Sequence, residues 1–285
     1  MKILILGSQG FIGTSFQKYL KYKKKKFFQT IHSSNFKIVG KKIYIDLLNK
    51  KHFEKLINKN FYPDIIINLA WFNISNLNRK NCLINYEMSK NIIDFANKTN
   101  TKKIINTGSC FEYNNLKGSL NENRIPLKNK IFSFYKKKIM NMFFKNFKNI
   151  SIWCRLFYVY GPGQKKNSLI PLIIESIKHK KTFFCKKPFD VLDYVYVDDV
   201  SKVLFKLMFF NKNEIFNIST NQYTCNLEIL NFFRSKYKKL FVFKVNNKQK
   251  KINKFKGNNN KLKKVVKINF LSINKGLKKI INEAN

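Results

Sequence analysis

Three glycines near the start of the chain have the spacing of a phosphate-binding loop. The stretch GSQGFIG places them at Gly7, Gly10 and Gly13, in a G-x-x-G-x-x-G pattern. Glycine permits a tight turn, close approach of the backbone to a pyrophosphate, and close packing of a helix on a sheet. A helix that begins near Phe11 would direct the free N–H groups of Phe11 and Ile12, and the positive end of its dipole, at the anion. The pattern therefore predicts a dinucleotide-binding site.

The segment that would bind the adenosine ribose contains no acidic residue. In dinucleotide-binding sites, a carboxylate about 20 residues beyond the glycines accepts hydrogen bonds from the ribose hydroxyls and favours NAD. The corresponding stretch, FFQTIHSSNFK, has His32, Ser33, Ser34 and Lys37 instead. Because a 2′-phosphate would not be repelled here, the sequence favours NADP over NAD.

Short apolar runs alternate with amphipathic stretches through the first two thirds of the chain. KILIL precedes FIGTSFQKYLKY, and DIIINLAW precedes LINYEMSKNIIDFANK. The repeated order of strand, helix and strand predicts a parallel sheet with helices on both faces, and the wholly apolar strands indicate burial on both sides. The expected fold class is therefore α/β, with a Rossmann-type doubly wound parallel sheet.

Lysine dominates the composition. The chain has 57 Lys and Arg against 15 Asp and Glu, a formal net charge of +42, and only Arg79, Arg124, Arg155 and Arg234 are arginines. Nucleic-acid recognition usually relies on arginine, and Lys, Asn, Ile and Phe are enriched together, as AT-rich codons would produce. We therefore expect no specific nucleic-acid partner, and a nucleic-acid binder is only a distant alternative.

Other features argue against metal, disulfide and membrane proteins. The five cysteines occur singly with no C-x-x-C spacing, and the three histidines are too far apart in sequence to suggest a metal site. No apolar run approaches the ~20 residues of a membrane span, and the apolar run at the N-terminus is too short for a signal peptide. The expectation is a cytoplasmic protein without a metal or a membrane partner.

Six further stretches follow one another along the chain: YIDLLN, PDIIINLAW, NYEMSKNIIDFA, RLFYVYGPGQ, VLDYVYVDDV and EIFNIST. Together with the glycines they resemble, in order, the motifs of the extended short-chain dehydrogenase/reductase family, the NAD(P)-dependent epimerases and dehydratases of nucleotide sugars. The resemblance implies that Asp46 and Leu47 lie beside the adenine and that Leu69 and Ala70 flank the cofactor. It also implies a cofactor-binding role for Asn85.

The resemblance implies two domains with a nucleotide-diphosphate sugar bound between them. Residues 1–162 would form the dinucleotide-binding Rossmann domain, to which residues 193–220 return. Residues 163–192 and 221–285 would form a smaller C-terminal α/β substrate domain. A homodimer is also expected.

Oxidoreduction at a sugar carbon requires groups that bind the sugar oxygen and exchange its proton. In the family a serine or threonine and a tyrosine bind that oxygen, and a lysine four residues after the tyrosine lowers the tyrosine pKa from about 10. KKIINTGSCFEYN resembles the strand and loop that carry the hydroxyl, which implies Ser109 as a catalytic residue, with Thr107 near the cofactor as the alternative. Cys110 and Phe111 replace the Asp-Glu pair of the dehydratases, which argues against dehydration.

The stretch IFSFYKKKIM, residues 131–140, occupies the place of the family's tyrosine and lysine, but its spacing is broken. The residue four positions after Tyr135 is Ile139. Three registers stay open: Lys138 with Phe134 at the tyrosine position, Lys136 with Phe132, or Lys137 with Ser133. We expect Tyr135, displaced by one residue, and Lys138 to act as acid and activator.

The expected function is that of an NAD(P)-dependent nucleotide-sugar oxidoreductase, either a 4-keto-deoxysugar reductase or a 4-epimerase. Tyr158 and Leu192 replace an asparagine and an arginine of the family's motifs, so the contacts to the sugar nucleotide are altered. Because Y-x-x-x-K is broken, the main alternative is a family member that binds cofactor and sugar nucleotide without catalysis.

Overall fold

The computed structural model describes residues 1–114, 117–124 and 130–284 of the chain. The strands in these residues are β1 (Ile3–Leu6), β2 (Phe27–His32), β3 (Lys37–Val39), β4 (Lys42–Ile45), β5 (Ile65–Asn68), β6 (Lys103–Ser109), β7 (Gly118–Leu120), β8 (Ile150–Leu156), β9 (Tyr158–Tyr160), β10 (Phe183–Cys185), β11 (Val191–Leu192), β12 (Tyr194–Tyr196), β13 (Glu214–Ile218), β14 (Thr224–Cys225), β15 (Phe243–Val245) and β16 (Phe255–Gly257). The α-helices are α1 (Phe11–Tyr22), α2 (Lys50–Asn58), α3 (Arg79–Lys98), α4 (Ile131–Asn146), α5 (Leu169–Lys178), α6 (Val197–Leu207), α7 (Asn226–Tyr237), α8 (Asn260–Val265) and α9 (Ile273–Ala284). Short 3₁₀ helices cover Cys110–Tyr113 and Lys238–Leu240.

Eight strands form a central sheet in the order β13-β8-β6-β5-β1-β2-β4-β3. All neighbours in this sheet are parallel except β3 and β4, which are antiparallel at one edge. The predicted α/β class with a Rossmann-type parallel sheet is confirmed. The chain builds outward from β1 through β2 and β4 and then crosses back to β5. In such sheets, ligands bind in the crevice at the carboxyl ends of the strands, where the order reverses.

Both faces of the sheet are covered, as the apolar strands predict. Alternate residues of a strand point to opposite faces. Ile3 and Ile5 of β1 therefore pack in the cluster that contains α1 and α6, whereas Leu4 and Leu6 pack in the cluster that contains α2, α3 and α4. This packing fixes α4 against the sheet beside β6.

The C-terminal third both returns to the sheet and builds smaller pairs. β13 pairs with β8 at the sheet edge, and β10 and β11 pair with β15 and β14. β16 pairs with β7, so a late segment of the chain contacts the loop that follows β6. The domain boundaries at residues 162, 192 and 220 stay a prediction. Among the described residues, no helix has both the length and the hydropathy needed to cross a membrane.

Candidate active site

The loop between β1 and α1 can take its shape because glycines, which have no side chain, occupy three positions in it and at the start of α1. Gly7 has a φ of +73°, and a Cβ there would lie 2.7 Å from the backbone nitrogen of Ala70. A Cβ on Gly13 would lie 2.4 Å from the Gly7 carbonyl oxygen. At Gly10, the N-cap of α1, the nearest atom to an added Cβ is that same oxygen, at 3.4 Å. Gly7 and Gly13 thus permit close packing, and Gly10 keeps the amino end of α1 clear.

The amino end of α1 suits an anion. Phe11 and Ile12 are its first two residues, and the first turn contains no acidic side chain. The first N–H groups of a helix have no acceptor within the helix and carry the positive end of its dipole. The predicted pyrophosphate contacts therefore fit this loop.

A cavity of about 400 Å³ opens beside the glycine loop, at the carboxyl ends of the central strands. Six of the predicted cofactor residues line it: Gly7, Gly10, Asp46, Leu47, Leu69 and Ala70. Asp46 accepts a hydrogen bond from the Leu48 backbone N–H at 2.9 Å, which holds its carboxylate at the cavity wall. His32, the last residue of β2, also lines the cavity and stands where NAD-binding sites have a carboxylate.

Asn85 of α3 is buried and holds the loop that follows β5. Its side-chain oxygen accepts a hydrogen bond from the Phe72 backbone N–H at 2.7 Å, and its amide nitrogen donates to the Phe72 carbonyl at 3.0 Å. The same loop carries Trp71 and Phe72 into the cavity wall. The structure thus places Asn85 behind this wall, where it shapes the cavity through the backbone.

Ser109 ends β6, at the carboxyl edge of the sheet. Its hydroxyl oxygen accepts a hydrogen bond from the Phe111 N–H at 3.2 Å. Thr107, two residues earlier on the same strand, donates its hydroxyl to the Asn68 carbonyl at 3.2 Å. The two hydroxyls therefore have different partners: that of Thr107 donates to the neighbouring strand, and that of Ser109 accepts from the residue two positions later.

A buried carboxylate holds the Ser109 loop. Glu112 accepts hydrogen bonds from the Ser109 backbone N–H at 2.7 Å, from the Trp153 indole at 3.1 Å and from the Arg155 guanidinium at 2.9 Å. Arg155 also donates to the hydroxyl of Tyr113. Sequence reasoning does not single out Glu112, although Ser109 and Glu112 have the S-x-x-E spacing of a capping box, which the structure forms.

One lysine of α4 reaches the sheet. The Lys136 ammonium is buried, donates to the Thr107 carbonyl at 2.9 Å and lies 3.8 Å from the ring centre of Trp71. Burial lowers the pKa of Lys136 to about 8, against an opposing effect of the Glu112 charge. Of the three open registers, the structure therefore favours Lys136 as the lysine beside Ser109.

The predicted Lys138 takes a different place. It is exposed, and its ammonium lies 4.5 Å from the ring centre of Tyr86 on α3. Two residues along a helix are about 200° apart, so Lys136 and Lys138 cannot both face β6. Of these two lysines, Lys136 is therefore the one that contacts the sheet, and the catalytic role of Lys138 stays a prediction.

The aromatic residues of α4 follow the same register. Phe132, one turn before Lys136, packs edge-on against Trp71 with ring centres 5.3 Å apart. Tyr135 is buried in a cluster with Cys82 and Phe132, and its ring lies 6.5 Å from that of Tyr86. The structure therefore brings Ser109, Thr107, Lys136 and Phe132 to one end of β6. The catalytic role of Tyr135 stays a prediction.

Three solved structures show what the whole chain is similar to. The UDP-glucose 4-epimerase of Thermotoga maritima, solved with UDP-glucose, is 22% identical over 99% of this chain and 98% of its own, with a TM-score of 0.85. The ADP-L-glycero-D-manno-heptose-6-epimerase of Helicobacter pylori is 19% identical over 99% of this chain and 95% of its own, with a TM-score of 0.82. The dTDP-glucose 4,6-dehydratase of Bacillus anthracis, solved with NAD, is 19% identical over 100% and 97%, with a TM-score of 0.82. Identities this low show the fold alone.

The sequence comparisons agree with the fold. A search of curated proteins finds no sequence that matches this chain significantly. The model of the NAD dependent epimerase/dehydratase family matches residues 3–219, which span β1 to β13 and include the glycine loop, Ser109 and Lys136. The chain therefore belongs to the NAD dependent epimerase/dehydratase family, whose members use a nicotinamide cofactor.

Proposed function

We propose that the protein is an NAD(P)-dependent nucleotide-sugar oxidoreductase, either a reductase of a 4-keto-deoxysugar nucleotide or a 4-epimerase. The observation that carries the proposal is that the buried Lys136 ammonium contacts the Thr107 carbonyl near the carboxyl end of β6, the strand that Ser109 ends. β6 is the neighbour of β5, whose following residues Leu69 and Ala70 line the glycine-loop cavity. A hydroxyl donor and a proton-exchanging group thus stand beside a cofactor cavity.

The residues of the cavity fit a nicotinamide dinucleotide. Its pyrophosphate would lie against Gly7, Gly10 and the first N–H groups of α1, and its adenine against Asp46. When bound, the cofactor accepts or supplies a hydride at the sugar carbon. The presence of His32, and not a carboxylate, at the end of β2 supports NADP over NAD.

We assign the proton chemistry to Ser109 and Lys136. Ser109 can donate its hydroxyl hydrogen to the sugar oxygen and so hold that oxygen in place. A lysine pKa of about 8 lies near neutral pH, where a general acid or base exchanges protons most effectively. Phe132, at the position four residues before Lys136, has no exchangeable proton. Tyr135 would join the site only through a change of rotamer, because its ring packs toward Tyr86.

The test is oxidation of NADPH or NADH by the purified protein with 4-keto-deoxysugar nucleotides, followed by the absorbance of the reduced cofactor. Lys136→Met should lower turnover about 100-fold or more, the usual contribution of a positioned acid. Lys138→Met, an exposed lysine two residues away, is the matched control and should leave turnover unchanged. No turnover with any nucleotide, together with no 4-epimerisation of the corresponding hexoses, would contradict the proposal.

A second candidate function rests on Phe132. Because that residue cannot replace a tyrosine in proton transfer, the protein could bind cofactor and sugar nucleotide without converting them. Tight binding of both ligands with no turnover by the wild type would support this candidate. Turnover that disappears in Lys136→Met would exclude it.

A homodimer through α3 and α4 is also proposed. Leu83, Ile131 and Phe134 are apolar side chains on these helices, and each is about half exposed. Light scattering should give a dimer for the wild type and a monomer for Leu83→Lys with Phe134→Lys. A monomeric wild type would contradict this part of the proposal.

A further inference from the structure

Four aromatic side chains form a continuous line beside Ser109, which we call the aromatic row: Trp71, Phe132, Phe111 and Tyr158. Successive ring centres are 5.3, 6.4 and 5.9 Å apart, and each pair meets edge to face. This arrangement is a favoured geometry for aromatic pairs. The four residues come from the loop after β5, from α4, from the loop after β6 and from β9, so only the folded chain brings them together.

The aromatic row connects the cofactor cavity with the Ser109 loop. Trp71 lines the cofactor cavity. Phe111 follows Ser109 and donates its backbone N–H to the Ser109 hydroxyl, while 47% of its side chain is exposed. Tyr158 ends the row against Tyr194 and Phe255, with ring centres 5.7 and 6.0 Å away. The row therefore runs from the cofactor cavity, past Ser109, to the C-terminal segment.

Besides Lys136, two charged residues near the row, Arg155 and Asp193, already have hydrogen-bond partners. Arg155 donates to Glu112, to Tyr113 and to the Glu122 carbonyl. The Asp193 carboxylate accepts hydrogen bonds from the backbone N–H groups of Thr220, Asn221 and Gly257 and from the Thr220 hydroxyl. Neither side chain is available to bind a sugar hydroxyl.

The row itself offers little hydrogen bonding. Its side chains contain two polar groups, the Trp71 indole N–H and the Tyr158 hydroxyl. Burial raises the pKa of Tyr158, so that hydroxyl stays protonated at neutral pH. The exposed ring of Phe111 therefore presents aromatic carbon beside Ser109, whereas Phe132 is buried and the Lys136 ammonium lies against Trp71.

We propose that the aromatic row selects a deoxygenated sugar, one that lacks at least one hydroxyl where the sugar faces the row. The inference rests on the proposed function and deepens it. The C–H face of a pyranose packs on aromatic carbon, whereas a hydroxyl pressed against that carbon loses its hydrogen bonds to water. An apolar surface rejects an added hydroxyl by about 10- to 100-fold.

The experiment measures binding, so it does not depend on turnover. Calorimetry of the full chain saturated with NADP⁺ compares UDP-glucose with its 2-deoxy, 3-deoxy and 6-deoxy forms, and the dTDP series is run in parallel. At least one deoxy form should bind about 10- to 100-fold more tightly than the parent hexose. Deoxy forms that bind no more tightly than the parent would overturn the inference alone. Failure of every nucleotide sugar to bind would overturn the proposed function as well.

Substitution of Phe111 tests whether the row causes the preference. Because Phe111 is half exposed, Phe111→Asn should fold, which circular dichroism checks, and should shrink the preference for the deoxy form to less than about threefold. The matched control is Phe209→Asn, at a side chain that is 56% exposed just after α6, and it should keep the preference for the deoxy form. Its neighbour Met208 contacts the start of β6 through Lys103, so this position lies at the opposite edge of the sheet. An unchanged preference in Phe111→Asn would overturn the role of the row.

Discussion

The cofactor cavity and the reaction end, by which we mean Ser109, Lys136 and the aromatic row, are built in different ways. The cavity depends on backbone: Gly7 and Gly13 allow the chain to pass within van der Waals contact of itself, and α1 supplies N–H groups. The reaction end depends on side chains from four separate segments that touch one another. Cofactor affinity should therefore be unchanged by substitutions at the reaction end.

The largest effect should come from the carboxylate that holds the Ser109 loop. Glu112→Gln keeps the shape of the side chain but leaves the buried Arg155 guanidinium without its charged partner. Breaking a buried pair in this way costs about 3–5 kcal/mol. Chemical denaturation should show that loss of unfolding free energy, and turnover should fall because the Ser109 loop is no longer held.

The matched control for Glu112→Gln is Glu87→Gln. Glu87 pairs with Lys90 on the exposed surface of α3, where an ion pair contributes about 0–1 kcal/mol. Equal effects of the two substitutions would show that the buried network around Glu112 does not stabilise the fold.

Two glycine substitutions separate folding from binding within the cavity. Gly13→Ala would place a Cβ 2.4 Å from a backbone oxygen, so the chain must shift, at a cost of about 1–3 kcal/mol. Gly10→Ala meets nothing closer than 3.4 Å, so it should fold normally while its Cβ enters the space for the pyrophosphate. We expect thermal unfolding to be lowered in Gly13→Ala, and fluorescence titration to show weakened NADPH binding in Gly10→Ala. Unchanged NADPH affinity in Gly10→Ala would contradict the placement of the pyrophosphate.

The buried Lys136 gives the reaction end a pH dependence. Its pKa is about 8 in the folded protein and 10.5 when unperturbed. Below pH 8 both states hold the proton and the cost of burying the charge is fully present. Between about pH 8 and 10.5 the unfolded chain binds more protons at this residue than the folded protein, so its contribution to the unfolding free energy rises with pH.

Lys136→Met removes that contribution. Relative to the wild type, the variant should be most stable near neutral pH and should lose this advantage as the pH rises through 10.5. Urea unfolding at a series of pH values measures the difference, and Lys138→Met, which alters an exposed lysine, should follow the wild type. A constant difference between Lys136→Met and the wild type across this range would show that the buried ammonium does not titrate as described.

The sequence predicted the cavity better than the reaction end, for a physical reason. Glycine spacing and strand alternation are local signals, and they were sufficient for the parallel sheet and for residues such as Gly7 and Gly10 that line the cavity. Trp71 and Tyr158 are far apart in sequence, and their approach to Phe111 depends on how β5, β6 and β9 are arranged. No local pattern reports such contacts.

The register of α4 was open because its apolar residues fit more than one rotation of the helix. Ile139, Met140 and Phe143 are all buried in the structure, and they span a wide apolar face. With lysines at three successive positions, a shift of about 100° exchanges one lysine for the next without changing the apolar pattern. The tertiary contacts of Lys136, with the Thr107 carbonyl and with Trp71, distinguish the registers.

The smallest expected effect concerns Tyr135, the residue that the sequence predicts to be the catalytic acid. Its ring packs with Cys82 and Tyr86 toward α3, and Lys136 and Ser109 already supply a proton-exchanging group and a hydrogen-bond donor. Tyr135→Phe removes the hydroxyl and keeps the ring, so turnover should change less than about twofold, against the 10²- to 10⁴-fold contribution of a positioned acid. The test compares the steady-state rates of Tyr135→Phe and Ser109→Ala. NADPH affinity is measured for both variants and should be equal. If Tyr135→Phe lost as much turnover as Ser109→Ala, Tyr135 would be the residue that transfers the proton. Its ring would then have to rotate toward Ser109 when substrate binds.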